Sequence, residues 1–107
     1  MRVVSVAVPV PYLDALTYRV PDGLDMPLAG ARVRVPLGSR SVIGCVIEQT
    51  GELREAGDLK EIGGILDAEP FLPAEVLGLC QWVAEYYMAG IGDAVAVAMP
   101  PGARDQS

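Results

Sequence analysis

The stretch Arg32-Val33-Arg34-Val35-Pro36-Leu37-Gly38-Ser39-Arg40-Ser41-Val42-Ile43-Gly44-Cys45-Val46-Ile47-Glu48 decides the fold class. Val33, Val35 and Leu37 alternate with Arg32 and Arg34, the period-two pattern of a half-buried strand with a basic outer face. Gly38-Ser39-Arg40 is a short glycine-containing link of the kind that joins antiparallel strands. Ser41 to Glu48 supplies the partner strand, in which Gly44 marks a bulge or tight bend. Bends of this kind let a small sheet curl toward a barrel.

Working outward, residues 2–10 place Val4, Val6, Val8 and Val10 on one side of a first strand, which Pro9 and Pro11 bring to an end or an edge. Residues 12–15 read as a loop. Leu16 to Val20 is a short second strand, closed by the turn Pro21-Asp22-Gly23, where proline presets φ and glycine tolerates a positive one. The charged segment 49–57 predicts a mobile loop. Lys60 to Leu66 predicts another strand around Gly63-Gly64. Pro73 and Glu75 open a helix whose apolar stripe is Val76, Leu79, Cys80, Val83, Tyr86 and Tyr87, running to about Met88. Asp93 to Met99 alternates Ala with Val or Met and predicts a final strand. The expected fold is therefore mainly β: a small antiparallel β-barrel or strongly bent sheet of about six strands, closed by one amphipathic helix.

The chain has 107 residues, 51% apolar and 21% charged, which suits one folded domain with a single core. Arg2 and the valines after it resemble a signal peptide only superficially, since Pro9 and Pro11 interrupt the run and no small-x-small site follows. No later stretch reaches the ~18 apolar residues that span a bilayer, so a cytoplasmic location without membrane contact is expected. Cys45 and Cys80 sit in apolar surroundings and read as buried free thiols. With no histidine and no paired cysteine motif, neither a metal site nor a resident cofactor is expected. Nothing in the sequence pairs an acid with a nucleophile, so no catalytic residue is assigned.

Charge places the strongest bound on function. Eight basic and fourteen acidic residues give −6, whereas domains that track phosphates over a long groove usually have a pI above ~9. The basic residues are not scattered evenly: no acid lies between Asp25 and Glu48, and Arg32, Arg34 and Arg40 fall in that window. A two-signed surface follows, with one basic patch on an acidic body.

Several strings meet in one order: Val8-Pro9-Val10-Pro11; Leu16-Thr17-Tyr18 leading to Val20-Pro21-Asp22-Gly23; Arg32-Val33 with Val35-Pro36-Leu37-Gly38; and Trp82-Val83-Ala84-Glu85-Tyr86-Tyr87 leading to Met99-Pro100-Pro101. As a set they resemble the N-terminal 3′-end DNA-binding domain of the primosomal replication-restart helicases, essentially end to end. The resemblance implies a domain at 1–102 that recognises the 3′ end of the nascent leading strand at a stalled fork, with 103–107 opening a linker to a helicase part not present here. It also implies a set of partners: a single-stranded 3′ end and forked DNA, the helicase domains, and primosome and single-strand-binding proteins reached through the longer protein. ATP, magnesium and structural zinc would belong to that remaining part. The family's pocket maps onto Leu16, Thr17 and Tyr18, onto Gly38, and onto Lys60. Leu16 stands where an aromatic is familiar and Thr17 where a carboxylate is. Leucine cannot stack on a base, while a hydroxyl can both donate to and accept from a terminal sugar.

The same residues have plainer readings. Thr17 suits any strand, Gly38 any turn, and Lys60 any solvated surface. Arg32, Arg34 and Arg40 are either phosphate contacts or a solvated strand face. Trp82, Tyr86 and Tyr87 could form a stacking platform, but their helical spacing favours core packing. The rival to a DNA-end module is a barrel that braces a helicase core or docks a protein partner without recognising an end.

Overall fold

In a computed structural model the described residues are 2–10, 14–52, 59–87 and 90–99, with the backbone alone at 51–52. Five strands form one sheet: β1 (Arg2–Ala7), β2 (Leu16–Arg19), β3 (Arg32–Leu37), β4 (Arg40–Glu52) and β5 (Gly64–Ile65), in the order β2-β1-β4-β3-β5 with every neighbouring pair antiparallel. Two helices follow, α1 (Ala74–Tyr86) and α2 (Ile91–Ala98). The mainly β reading holds, as an open, bent sheet. The count of six strands and one helix gives way to five and two.

The hairpin forms as its sequence dictates. Leu37 pairs with Arg40 across the two-residue turn Gly38-Ser39, and Gly38 takes φ +62°, a left-handed conformation that costs glycine nothing. β4 is longer than its apolar part suggested. Residues 40–45 pair with β3, and residues 45–52 pair with β1, so Cys45 faces both Arg32 and Ala7. Along the second half the register slips twice, leaving Ile47 and Thr50 as extra residues. Each slip raises the local twist and bends the strand. Gly44 is regularly paired with Val33 rather than bulged. Its role is close approach: a Cβ there would sit 2.6 Å from Val6 Cγ1 and 2.8 Å from the Ala7 carbonyl oxygen. The predicted loop at 49–57 begins later than expected, because the polar residues 49–52 continue the ladder to β1; residues 53–57 lie outside the described set.

The bend creates two cores. Val4, Val6, Val8, Tyr18, Val20, Val33, Val35, Val46 and Ile62 fill the concave side. On the convex side Ala7 and Cys45 meet Leu72, Leu77, Cys80, Ala84, Ile91, Val95 and Met99. Both thiols are free and buried, and burial pushes that of Cys45 up to about 12, so it is neutral and inert.

The helical half departs from the expected pattern. The segment expected to be a last strand is α2, in which Ile91, Val95 and Met99 recur at four-residue spacing and are all buried. Ala-Val alternation fits both periods, and alanine is the better helix former. Gly92 seats the helix on the end of β1, where any Cβ would run into the Val8 carbonyl oxygen. α1 starts after Pro73, as expected, but it rotates a narrower face inward. Leu77, Cys80 and Ala84 are buried, while Leu79, Trp82, Tyr86 and Tyr87 are more than half exposed. The sheet presents Ala7 and Cys45 at this contact, and against such a surface a small-residue face packs closest. The aromatic residues expected in the core are therefore at the surface. No helix among the described residues is long and apolar enough to cross a membrane.

One ion pair ties the end of the sheet to the approach to α1. Asp67 accepts two hydrogen bonds from the Arg32 guanidinium, at 2.8 and 2.9 Å, and one from the Arg32 backbone N–H at 3.0 Å. The guanidinium also lies 4.1 Å from the centre of the Phe71 ring. These bonds hold the Asp67 carboxyl below the usual carboxylate range.

Three outcomes follow. Gly44→Val lowers the free energy of unfolding by about 1–3 kcal/mol in urea melts, because the added methyls overpack the strand crossing. Gly78→Ala, at an exposed helical site with open space around it, raises it by about 0.5–1 kcal/mol. Asp67→Asn costs about 1–3 kcal/mol at neutral pH. Because the folded-state pKa of Asp67 is depressed, that stabilisation is present above its unfolded value, ~3.9, and disappears as pH falls through the folded value. Acid unfolding of the Asn variant therefore lacks this part of the wild-type slope.

Candidate nucleic-acid interface

The bent sheet brings its two ends toward each other, and the extended segment from Lys60 joins them incompletely. At its start the Lys60 carbonyl accepts from the Arg19 N–H at 2.9 Å, and the Ile62 N–H donates to the Arg19 carbonyl at 3.0 Å. Glu61 and Arg19 form a single parallel bridge. The segment then crosses to β3, where Gly63 N–H donates to the Arg34 carbonyl at 2.6 Å and β5 pairs with Arg34 and Val33. The expected strand over Lys60–Leu66 is thus two short contacts, one on each side of Gly63, since two successive glycines offer no side chains to stabilise a longer run.

Above this crossing a seam stays open. Leu16, Thr17 and Tyr18 pair with β1 on one edge, and among the described residues their other edge has no backbone partner. Across the seam, Pro36 has no N–H to offer, and beyond Leu37 comes the Gly38 turn. Among the described residues one bond spans the opening: the Tyr18 hydroxyl donates to the Pro36 carbonyl at 2.7 Å. Tyr18 thereby reaches across the concave side from β2 to β3, two strands that are not neighbours in the sheet. Its ring is buried, which raises its pKa, so it braces the opening and presents no face for stacking.

The five residues mapped by resemblance have unequal surroundings. Strand alternation turns Leu16 and Tyr18 toward the concave core, with Leu16 half-buried against it, while Thr17 lies on the opposite face beside Ser5. Ser5 Oγ lies 3.1 Å from Thr50 Oγ1 on that face, so the outer surface at Thr17 is rich in hydroxyls. Gly38 is open, with nothing within 4 Å of where a Cβ would be. Lys60 is exposed at the lower rim.

The cations divide by what the fold does with them. Arg32 is held by Asp67 and Arg19 by Glu61, at 2.8 and 3.3 Å. Among the described residues Arg34, Arg40 and Lys60 have no ion-pair partner. The basic window read from the sequence therefore reduces to Arg34 and Arg40, with Lys60 joining them from outside it. Sequence reasoning missed two participants, the Pro36 carbonyl that anchors Tyr18 and the carboxylate of Asp67 that takes Arg32 out of reach. A proline in an edge strand opposite a tyrosine carries no sequence signal for such a bond, and Asp67 is 35 positions from its partner.

The 3′ DNA-binding domain (3′BD) family of PriA matches residues 5–100. Replication restart protein PriA of Haemophilus influenzae is 34% identical over 101 residues, which is 94% of this chain and 14% of that protein. The protein of the same name from Rickettsia felis is 30% identical over 100 residues, 94% of this chain and 15% of its own length. That from Treponema pallidum is 29% identical over 85 residues, 75% of this chain. The chain spans about one seventh of the length of these relatives. With the match running through the hairpin, the open seam and both helices, the chain belongs to the 3′ DNA-binding domain family of the replication restart protein PriA.

Proposed function

We propose that the open seam receives the 3′ end of a nascent DNA strand at a stalled fork, and that this contact positions a replication-restart helicase encoded by the rest of a longer polypeptide. The observation that carries the reading is the seam itself: two strand edges without backbone partners among the described residues, bounded by Thr17, the Gly38 turn and Lys60. A chain end needs a polar group for its hydroxyl, backbone open to the sugar, and a cation near the last phosphate. Thr17 can donate to or accept from a terminal hydroxyl. Gly38 leaves space for close approach, and Lys60 supplies the charge. Leu16 packs against the core and cannot stack, so this domain forgoes part of the ~1–3 kcal/mol that an aromatic contributes per base. Arg34 and Arg40 meet the preceding phosphates, whereas Arg32 acts through Asp67 on the fold. The domain performs no chemistry; ATP, magnesium and structural zinc serve the helicase part, as do the contacts to primosome and single-strand-binding proteins.

Fluorescence anisotropy with a short strand ending in a free 3′-hydroxyl, compared with the same strand ending in a 3′-phosphate, tests the reading. The hydroxyl end binds more tightly, and because few phosphates are neutralised the slope of log K against log salt has a magnitude of about 1–3. Lys60→Ala weakens binding. Gly38→Asn weakens it too, and is preferred to a β-branched residue because asparagine tolerates the left-handed turn and keeps the hairpin intact. Equal affinity for the two ends, or binding that neither substitution alters, favours a bracing or docking barrel.

A further inference from the structure

The helical half carries a second surface that the seam does not use. Along α1, Leu79, Trp82, Val83 and Tyr86 follow one another at three- and four-residue spacing and face outward from the sheet. Leu79 is 59% exposed, Trp82 56% and Tyr86 66%, and Val97 of α2 is 84% exposed. The Trp82 and Tyr86 rings stack at 5.1 Å between centroids, and Tyr87 meets Tyr86 edge-on at 4.9 Å. Beside this ridge, between α1 and α2, lies a cavity of about 240 Å³ lined by Val76, Leu79, Cys80, Val83, Ala94 and Val97. A contiguous apolar ridge and groove of this kind marks a binding surface rather than incidental exposure.

Charge identifies the occupant. From Glu61 to Gly102 the sequence has six carboxylates and no lysine or arginine. Glu61 and Asp67 among them are paired with Arg19 and Arg32; Glu75 and Glu85 lie on α1 itself. A second opening, lined by Ile47, Ala84 and Ile91 together with the same Glu85, adds Asp14. Phosphates are repelled from such a face, and a second copy would bring the same charges against it. Two helices packed side by side leave a groove that the ridge of a third fills. We infer that the α1–α2 face docks an amphipathic helix from a partner protein, whose apolar residues at i, i+3, i+4 and i+7 enter the groove while flanking lysines or arginines meet these carboxylates.

Trp82 is the sole tryptophan and reports directly on the groove. The probe is a synthetic helical peptide of roughly 18 residues, about five turns, with leucines on one face and lysines flanking them. Its controls are the same peptide with glutamates for lysines, and one of identical composition whose leucines are dispersed around the helix. The amphipathic basic peptide shifts Trp82 emission to the blue saturably, and both controls bind at least about tenfold more weakly, a difference of ~1.4 kcal/mol. Leu79→Asp and Val97→Asp, both at exposed positions and checked for folding by circular dichroism, lose that binding and leave the affinity for the 3′-hydroxyl strand unchanged. Equal shifts with the dispersed-leucine peptide overturn the inference. So does a blue shift that tracks self-association in analytical ultracentrifugation, or one produced by oligothymidylate, since these assign the face to a second copy or to nucleic acid.

Discussion

The crossing of β1 and β4 at Gly44 is the contact on which the rest of the molecule depends. β4 serves two strands in succession, β3 with its first half and β1 with its second, and the exchange occurs where Cys45 faces both Arg32 and Ala7. Only a residue without a side chain at 44 lets Val6 and the Ala7 carbonyl come as near as they do. The slips at Ile47 and Thr50 then turn the remainder of the strand. From that bend come both cores, the concave one filled by valines and the convex one covered by helices. The open seam has the same origin, because it lies where the curled sheet brings β2 and β3 near each other without pairing them.

An incompletely closed sheet is usually a liability, since unpaired edges invite pairing with another chain. Here the exposed edges are short and differently protected. Pro36 removes a donor from one, and the Tyr18 hydroxyl occupies an acceptor on it. The local charges follow the same division, since ion pairs absorb Arg19 and Arg32 where the fold needs fastening and Arg34, Arg40 and Lys60 remain around the opening. With a net charge of −6, any contact with phosphates is confined to these few cations, and the acids spread over the rest of the chain oppose a longer track.

Much of this was legible in the sequence, for reasons that can be assigned residue by residue. The alternation of Val33, Val35 and Leu37 with arginines, and the glycine turn after it, leaves no competing period, and the hairpin formed where expected. The free, buried state of Cys45 and Cys80 was equally readable. Residues 91–98 were not, since alternating alanine and valine satisfies strand and helix periods alike and only the packing of Gly92 on β1 separates them. The aromatic residues of α1 misled for a related reason. A stripe of large apolar side chains marks a buried face only if nothing smaller packs better, and the sheet offered Ala7 and Cys45, which a Leu77-Cys80-Ala84 face fits. The assignment of Thr17, Gly38 and Lys60 to one site came from family resemblance; the residues alone gave no sign of the tyrosine–carbonyl bond or of the strand broken at Gly63.

Two poles therefore divide the work, a sheet end with free cations and a helical face with apolar residues and carboxylates. On the proposed function, DNA meets the first and avoids the second. Backbone amide chemical-shift mapping by two-dimensional NMR, during titration with a short strand carrying a free 3′-hydroxyl, tests this directly. Shifts are expected at Thr17, Arg34, Gly38, Arg40 and Lys60, with the amides of Leu79 to Tyr86 unmoved. Shifts centred on α1, or spread evenly over the surface, would contradict it.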